Sequence, residues 1–366
     1  MNTTGKMIAL TLLLAVMPGA VLAQSTIMEE LGSRAAITAM EQLRFEKGDS
    51  NILALTDAGY AQIGNLTTEK TLLGITNEAG VNEGDGTLFR VLRANNRPLW
   101  VFFFNKSTGN AVYMQVDEKA LNNSLEGFKA LKSEQVFSKI SRANVDLSYL
   151  LNHTDEGNET FNNASFCGNE FSLVGISNIW AQQESAFDFL QAACFHDHLC
   201  PGVTGGYMLA RYVEEKMPIN NESESYKVIA IPPWCKDDLL ELRWDATPGK
   251  SGMFVMALTD AEEKALNARY NQTDVSGIYI RWNDTARQGT ALVLGFNWTH
   301  MYNLTGIDNW KGPSWAKMLV MDVNMVDFWN RPEVAVSTLK EFEVDQNTMA
   351  MLTNAGMHPL KVAGVL

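Results

Sequence analysis

The chain is poor in the residues that most often carry chemistry. Its 366 residues include four cysteines and five histidines. Four cysteines cannot staple a chain of this length, which excludes a disulfide scaffold, and none lies beyond Cys235. Cationic residues are outnumbered: 29 Lys and Arg stand against 42 Asp and Glu, for a formal charge of −13. Nucleic-acid binding needs a basic footprint, so no nucleic-acid partner is expected. After the N-terminal segment there is no run of eighteen uninterrupted apolar residues, so the rest of the chain should not cross a bilayer as a helix. Gly-x-Ser-x-Gly, His-Glu-x-x-His and the dinucleotide fingerprint are all missing, which leaves the common hydrolase and dehydrogenase readings without support.

What is present is concentrated. Residues 194–202 read Cys-Phe-His-Asp-His-Leu-Cys-Pro-Gly, with two histidines and two cysteines within seven positions. His196, His198 and Cys200 alternate, and on an extended segment alternate side chains point the same way. Three borderline-soft donors would then converge on one point, which suits a transition-metal ion, zinc first among them. Pro201 and Gly202 open a run, Val203 to Met217, with helical spacing. Cys200 is therefore expected at a helix N-terminus, where partial positive charge favours its thiolate. That effect would help a metal ligand and a nucleophile equally. Asp197 is out of phase with the histidines and is expected to face solvent.

The same residues carry a resemblance. His196-Asp-His198-Leu-Cys200-Pro201-Gly202, followed by Gly206-Tyr207, resembles the His-Gly-His-x-Cys-Pro-Gly-x-x-x-Gly-Tyr motif of the FmdE family, which takes its name from formylmethanofuran dehydrogenase. Lys227 to Trp234 followed by Cys235-Lys-Asp-Asp238 is similar to that family's strand and Cys-x-x-Asp, and Thr247-Pro-Gly249-Lys250 to its Gly-Lys turn. Order and spacing agree over about residues 184–300. The resemblance implies an α+β core with a mixed sheet, flanking helices and a cleft where the His/Cys motif meets Cys235. It also implies a homodimer and a link to methanogenic metabolism. Two departures stand out: Asp197 replaces the glycine between the histidines, and the zinc-finger extension of some relatives is missing.

On this resemblance the metal ligands are His196, His198, Cys200 and Cys235, while Cys235, Asp238 and Lys250 are the candidate catalytic residues. Asp238, three residues after Cys235, could ligate, orient a histidine or act as a base. Lys250 could hold an anion on its turn. A phosphate loop is rejected, because Trp244 stands where that motif needs its first glycine.

Residues 1–23 read as a secretory leader: Lys6, an apolar run from Met7 to Val16, then Val21-Leu-Ala23. Its removal would take the formal charge to −14, since it holds one lysine and no acid. Sequons are dense, beginning at Asn65, Asn105, Asn122, Asn152, Asn158, Asn163, Asn221, Asn271, Asn283, Asn297 and Asn303. With the leader they suggest a secreted, cell-surface glycoprotein. In such a place Cys167 and Cys194 could pair, closing a loop worth about 3 kcal/mol.

Length allows two domains. The expected division is an N-terminal α+β domain over 25–148, a polar, sequon-rich linker over 149–170, and the domain with the His/Cys motif over 171–366. Helix, strand, Gly-rich turn and strand recur in that order on both sides, as in a degenerate tandem duplication whose first copy lacks the metal motif. In the tail, Lys317 to Val323 reads as a strand, and Val334 to Leu339 as strand or helix. Trp310, Trp315, Trp329 and the nearby methionines read as core or interface. Three functions remain open: an exported metal-binding FmdE-type protein, a non-catalytic carrier of a metal or metallo-cofactor, and an envelope glycoprotein with a relic site. The partner would be a metal or small-molecule ligand.

Overall fold

The computed structural model describes residues 27–182, 187–271 and 273–366. The leader expected over 1–23 lies outside the described residues. By its internal packing the chain divides into two compact units, one ending at Glu170 and the other beginning at Phe171.

The first unit is built on a five-stranded sheet. A helix, α1, covers 27–43. It leads to β1 (Ile52–Thr56), α2 (Lys70–Ala79), β2 (Leu88–Arg90), β3 (Trp100–Asn105), β4 (Asn110–Val116) and β5 (Phe137–Asn144). The strand order is β2-β1-β3-β4-β5, with β1–β2 parallel and the other pairs antiparallel. Met28, Leu31, Ala35 and Ala39 fall at helical spacing on α1 and are buried with Ile52, Ala54, Val101, Phe103, Val112 and Met114. Those sheet residues alternate, so they define one face of the sheet. The run Trp-Val-Phe-Phe-Phe is apolar at every position because β3 is central and buried on both faces.

The segment expected to be a linker is folded. It carries α3 (Leu147–Asn152) and α4 (Thr154–Asn162) and belongs to the first unit. Its polar composition hides a few apolar anchors. Leu150 and Phe166 are fully buried, and the Phe166 ring packs edge-on to Phe102 at 5.5 Å and against Tyr113 at 5.9 Å, on the sheet face opposite α1.

The second unit opens with α5 (Glu170–Gln182) and α6 (Phe187–Phe195), then α7 (Pro201–Lys216), β6 (Glu224–Ala230), α8 (Lys236–Trp244), β7 (Met253–Val255) and α9 (Asp260–Arg269). The long strands β8 (Asp274–Asn283) and β9 (Gln288–Phe296) follow, then α10 (Trp298–Leu304), α11 (Ser314–Met325) and β10 (Val336–Asp345). The sheet order is β7-β6-β8-β9-β10, with β6–β7 parallel and the rest antiparallel. The strand order and pairing sense match those of the first sheet. The fold class is α+β with mixed sheets flanked by helices.

The tail needs a correction. Lys317 to Val323, expected as a strand, lies within helix α11. Ala316, Leu319, Val320 and Val323 stand at helical spacing and are buried; the β-branched valines imitate a strand in a short window. Val334 to Leu339 resolves as a 3-10 turn followed by β10. Met321, Met325 and Trp329 are buried in the unit's core. Among the described residues, no helix is long and apolar enough to cross a membrane.

Candidate metal centre

Three elements of the second unit deliver the site. Helix α6 ends at Phe195, and the His196 amide still bonds the Ala192 carbonyl, at 2.9 Å. Asp197 then turns left-handed, with φ +65°. The expected extended alternation is thus replaced by a turn, and it is this turn that brings the imidazoles together, with ring centroids 4.2 Å apart. The left-handed region suits glycine, and among other residues Asp is one of the few that tolerate it. This accounts for the aspartate at a glycine position of the motif. Asp197 itself is exposed.

Cys200 is the N-cap of α7, and Pro201 is the first residue of that helix. Cys235 is the N-cap of α8. Two positive helix ends therefore meet at the two sulfurs. The helices come close because glycines let them. A Cβ on Gly202 would stand 2.9 Å from the Cys235 Cβ and 3.2 Å from its Sγ; one on Gly206 would stand 2.7 Å from the Lys236 Cα. Arg243 on α8 reinforces the pairing with a two-pronged bond to Glu214 on α7, at 2.7 and 2.9 Å, and Trp244 Nε1 donates to the same carboxylate at 2.9 Å.

The outcome is a cluster of four donor atoms, from His196, His198, Cys200 and Cys235, all within 4.8 Å of one another. Asp238, in the first turn of α8, lies with Oδ2 2.5 Å from His196 Nδ1. That bond fixes the ring so that Nε2 is the nitrogen left for the cluster. His196 Nε2 is buried and makes no hydrogen bond. A buried, unpartnered ring nitrogen beside two sulfurs is what a metal ligand looks like before the ion is counted. The donor set, two imidazoles and two thiols, matches a tetrahedral zinc-type site, so the residues fit the ion.

The protonation pattern differs from expectation in one respect. The helix terminus was expected to make Cys200 the thiolate. Instead, Cys235 is held far below the usual thiol range, first by a hydrogen bond from Cys200 and then by the two imidazoles. Cys200 is pushed up, because its hydrogen is shared with Cys235 and because it is buried. Burial alone would lower His196, but the bond to Asp238 and the facing Cys235 outweigh it and lift the imidazole to about 9.

Lys250 is not among the gathered groups. Its ammonium bonds Asp245, at 2.5 and 2.6 Å, on an exposed turn. All four cysteines are free thiols, so the Cys167–Cys194 bridge is not formed; Cys194 is buried within α6, and burial pushes its thiol up to about 12. One acid of interest was not anticipated. Asp322, in the middle of α11, is fully buried, accepts from Thr204 Oγ1 at 2.8 Å and leaves Oδ2 unpartnered. Burial drives its carboxyl well above the usual range, and the charge on Cys235 adds to the shift. Its sequence signal is slight: one acid inside the apolar run Met318-Leu-Val-Met-Asp-Val.

Fold and site together define a class: an α+β protein whose His/Cys cluster is able to hold a metal ion. The family model described as FmdE, molybdenum formylmethanofuran dehydrogenase operon, matches residues 195–293. That span takes in all four donors and Asp238. Residues 195–293 are thus similar to the FmdE domain, and the chain on either side lies outside the match. No curated protein matches the chain.

Proposed function

We propose that this is an exported protein that binds a transition-metal ion, zinc in the first instance, through His196 Nε2, His198 and the sulfurs of Cys200 and Cys235. The observation that carries the reading is the buried, unpartnered Nε2 of His196, aimed into the cluster by Asp238. Asp238 is assigned the orienting role rather than that of ligand or base. The imidazoles and the Cys200 thiol lower the Cys235 thiol, which favours it as a thiolate ligand. Lys250, paired with Asp245, is given no part. A bound zinc-type ion would supply Lewis acidity and keep both sulfurs deprotonated. His198 is exposed while the other three donors are partly buried, so one side of the site stays open to water, a small ligand or a metal-accepting partner.

Export rests on the leader and on the density of sequons. It would place the protein at the cell surface. The same reading treats the first unit as a copy of the second that lacks the site. The matching strand order supports it. So does Gly32, the sixth residue of α1, where a Cβ would meet α2 as one on Gly206, the sixth residue of α7, would meet α8. The N-cap of α2 is Glu69, where α8 has Cys235.

Elemental analysis tests the proposal. The secreted wild-type protein should hold about one ion per chain, and His196→Ala and Cys200→Ser should lose it. Wild-type protein without stoichiometric metal, or unaffected by Cys200→Ser, would overturn the reading.

A further inference from the structure

A cavity of about 310 Å³ in the second unit is lined among others by Trp234, Trp298, Leu266, Asn267, Glu263 and Asp274. Trp234 is the residue immediately before Cys235. The two indoles meet edge to face, with centroids 5.5 Å apart, and form a corner of the cavity. Glu263 comes from α9 and Asp274 from the start of β8. No lysine, arginine or histidine is among the described residues that line it.

We propose that this cavity is a binding site for a small organic cation, such as a methylated or quaternary ammonium group.

Electrostatics and size both favour a compact cation in this cavity. Indole faces attract a cation through their quadrupole, and the attraction grows where water is excluded. The Lys236 ammonium, 4.8 Å from the Trp234 ring centroid, is buried, paired with Asp237 at 2.5 Å and outside the cavity lining. The two carboxylates share the cavity with no lining cation to neutralise them. Burial raises the Asp274 carboxyl, a hydrogen bond with Asn267 lowers it, and the nearby Glu263 raises it again. A positively charged guest would relieve that repulsion; an anion would add to it. The volume lies at the small end of the range for ligand sites, which favours a compact headgroup over an extended molecule. A neutral sugar could also stack on indoles and bond carboxylates, but nothing in its chemistry would answer the uncompensated charge.

The inference does not depend on the metal, and the test keeps the two apart. Tetramethylammonium would be titrated into the full chain, before and after treatment with a chelator, and followed by calorimetry and tryptophan fluorescence. The expected result is one saturable site, unchanged by chelation, with tert-butanol, the uncharged analogue of similar shape, at least about tenfold weaker. Glu263→Gln combined with Asp274→Asn should weaken the cation by about tenfold or more, and Trp298→Leu by about fivefold or more. If Trp298→Leu or the double variant does not fold, Glu263→Gln alone decides, because Glu263 is exposed; a weakening of about threefold is expected. Equal binding of tert-butanol or of methyl glucoside, the absence of a saturable cation site, or indifference to Glu263→Gln would each overturn the proposal.

Discussion

Asp238 Oδ2 and His196 Nδ1 lie 2.5 Å apart, a bond between the first turn of α8 and the turn that ends α6. It sets which imidazole nitrogen faces the sulfurs, and it joins the two halves of the motif across 42 positions of sequence.

Asp238→Asn keeps an oxygen able to accept the Nδ1 hydrogen but removes the charge. Metal affinity should fall by about 10–100-fold, with little change in fold. Competition against a chromophoric zinc chelator measures it; an unchanged affinity would show that the carboxylate does not orient the ligand.

Metal binding should release protons. The His196 imidazole, lifted to about 9, carries a proton at pH 7, and the Cys200 thiol is pushed up from the usual thiol range while Cys235 is pushed down. A group protonated before binding competes with the cation, and raising the pH towards its pKa weakens that competition. Zinc affinity should therefore climb between pH 6 and pH 9, by about a hundredfold per unit where both protons are displaced. A dye-monitored titration should count about two protons per ion; fewer than one would contradict this charge state.

Gly202→Ala places a methyl 2.9 Å from the Cys235 Cβ. The side chains of two metal donors, Cys235 and Cys200, leave it little room. The expected cost is about 1–3 kcal/mol of stability, with a loss of metal affinity beyond that of Gly249→Ala, whose added methyl meets nothing within 4 Å. Equal behaviour of the two variants would count against the close approach of α7 and α8.

Asp322→Asn has a pH signature. Because the carboxyl is raised well above its unfolded value, the stability it contributes is fully present below about pH 3.9 and is lost as the pH rises. The amide titrates nowhere in this range. Relative to wild type, the variant should gain in melting temperature between pH 5 and pH 8; a constant or shrinking difference would show that Asp322 is ionised in the fold.

Much of the site was legible, because its donors are rare residue types packed into one short stretch. His196, His198 and Cys200 declare themselves by spacing, and Cys200 at the start of a helix follows from Pro201. The geometry behind them was less legible. A left-handed residue at Asp197 breaks the extended alternation that the spacing suggested, and only coordinates reveal the turn. That Cys235 is lowered and Cys200 raised depends on which sulfur faces the imidazoles, a matter of tertiary approach rather than of either helix end. Residues 149–170 looked like a linker because their polar majority masks a few anchors such as Phe166. The strand expected at Lys317 to Val323 failed for another reason: seven residues rich in valine cannot distinguish a period of 2 from 3.6 without the flanking Ala316 and Met325.

The N-cap positions of α7 and α8 carry one final implication. Both are held by cysteine, and neither sulfur donates or accepts a capping bond, although such positions favour oxygen-bearing side chains. An ion held by both sulfurs would rivet the two helix starts to each other. Withdrawing it should loosen the amides of 201–204 and 236–239 to hydrogen exchange while the paired strands β8 and β9 stay protected, so that the protein's grip on the metal is also the metal's grip on the protein.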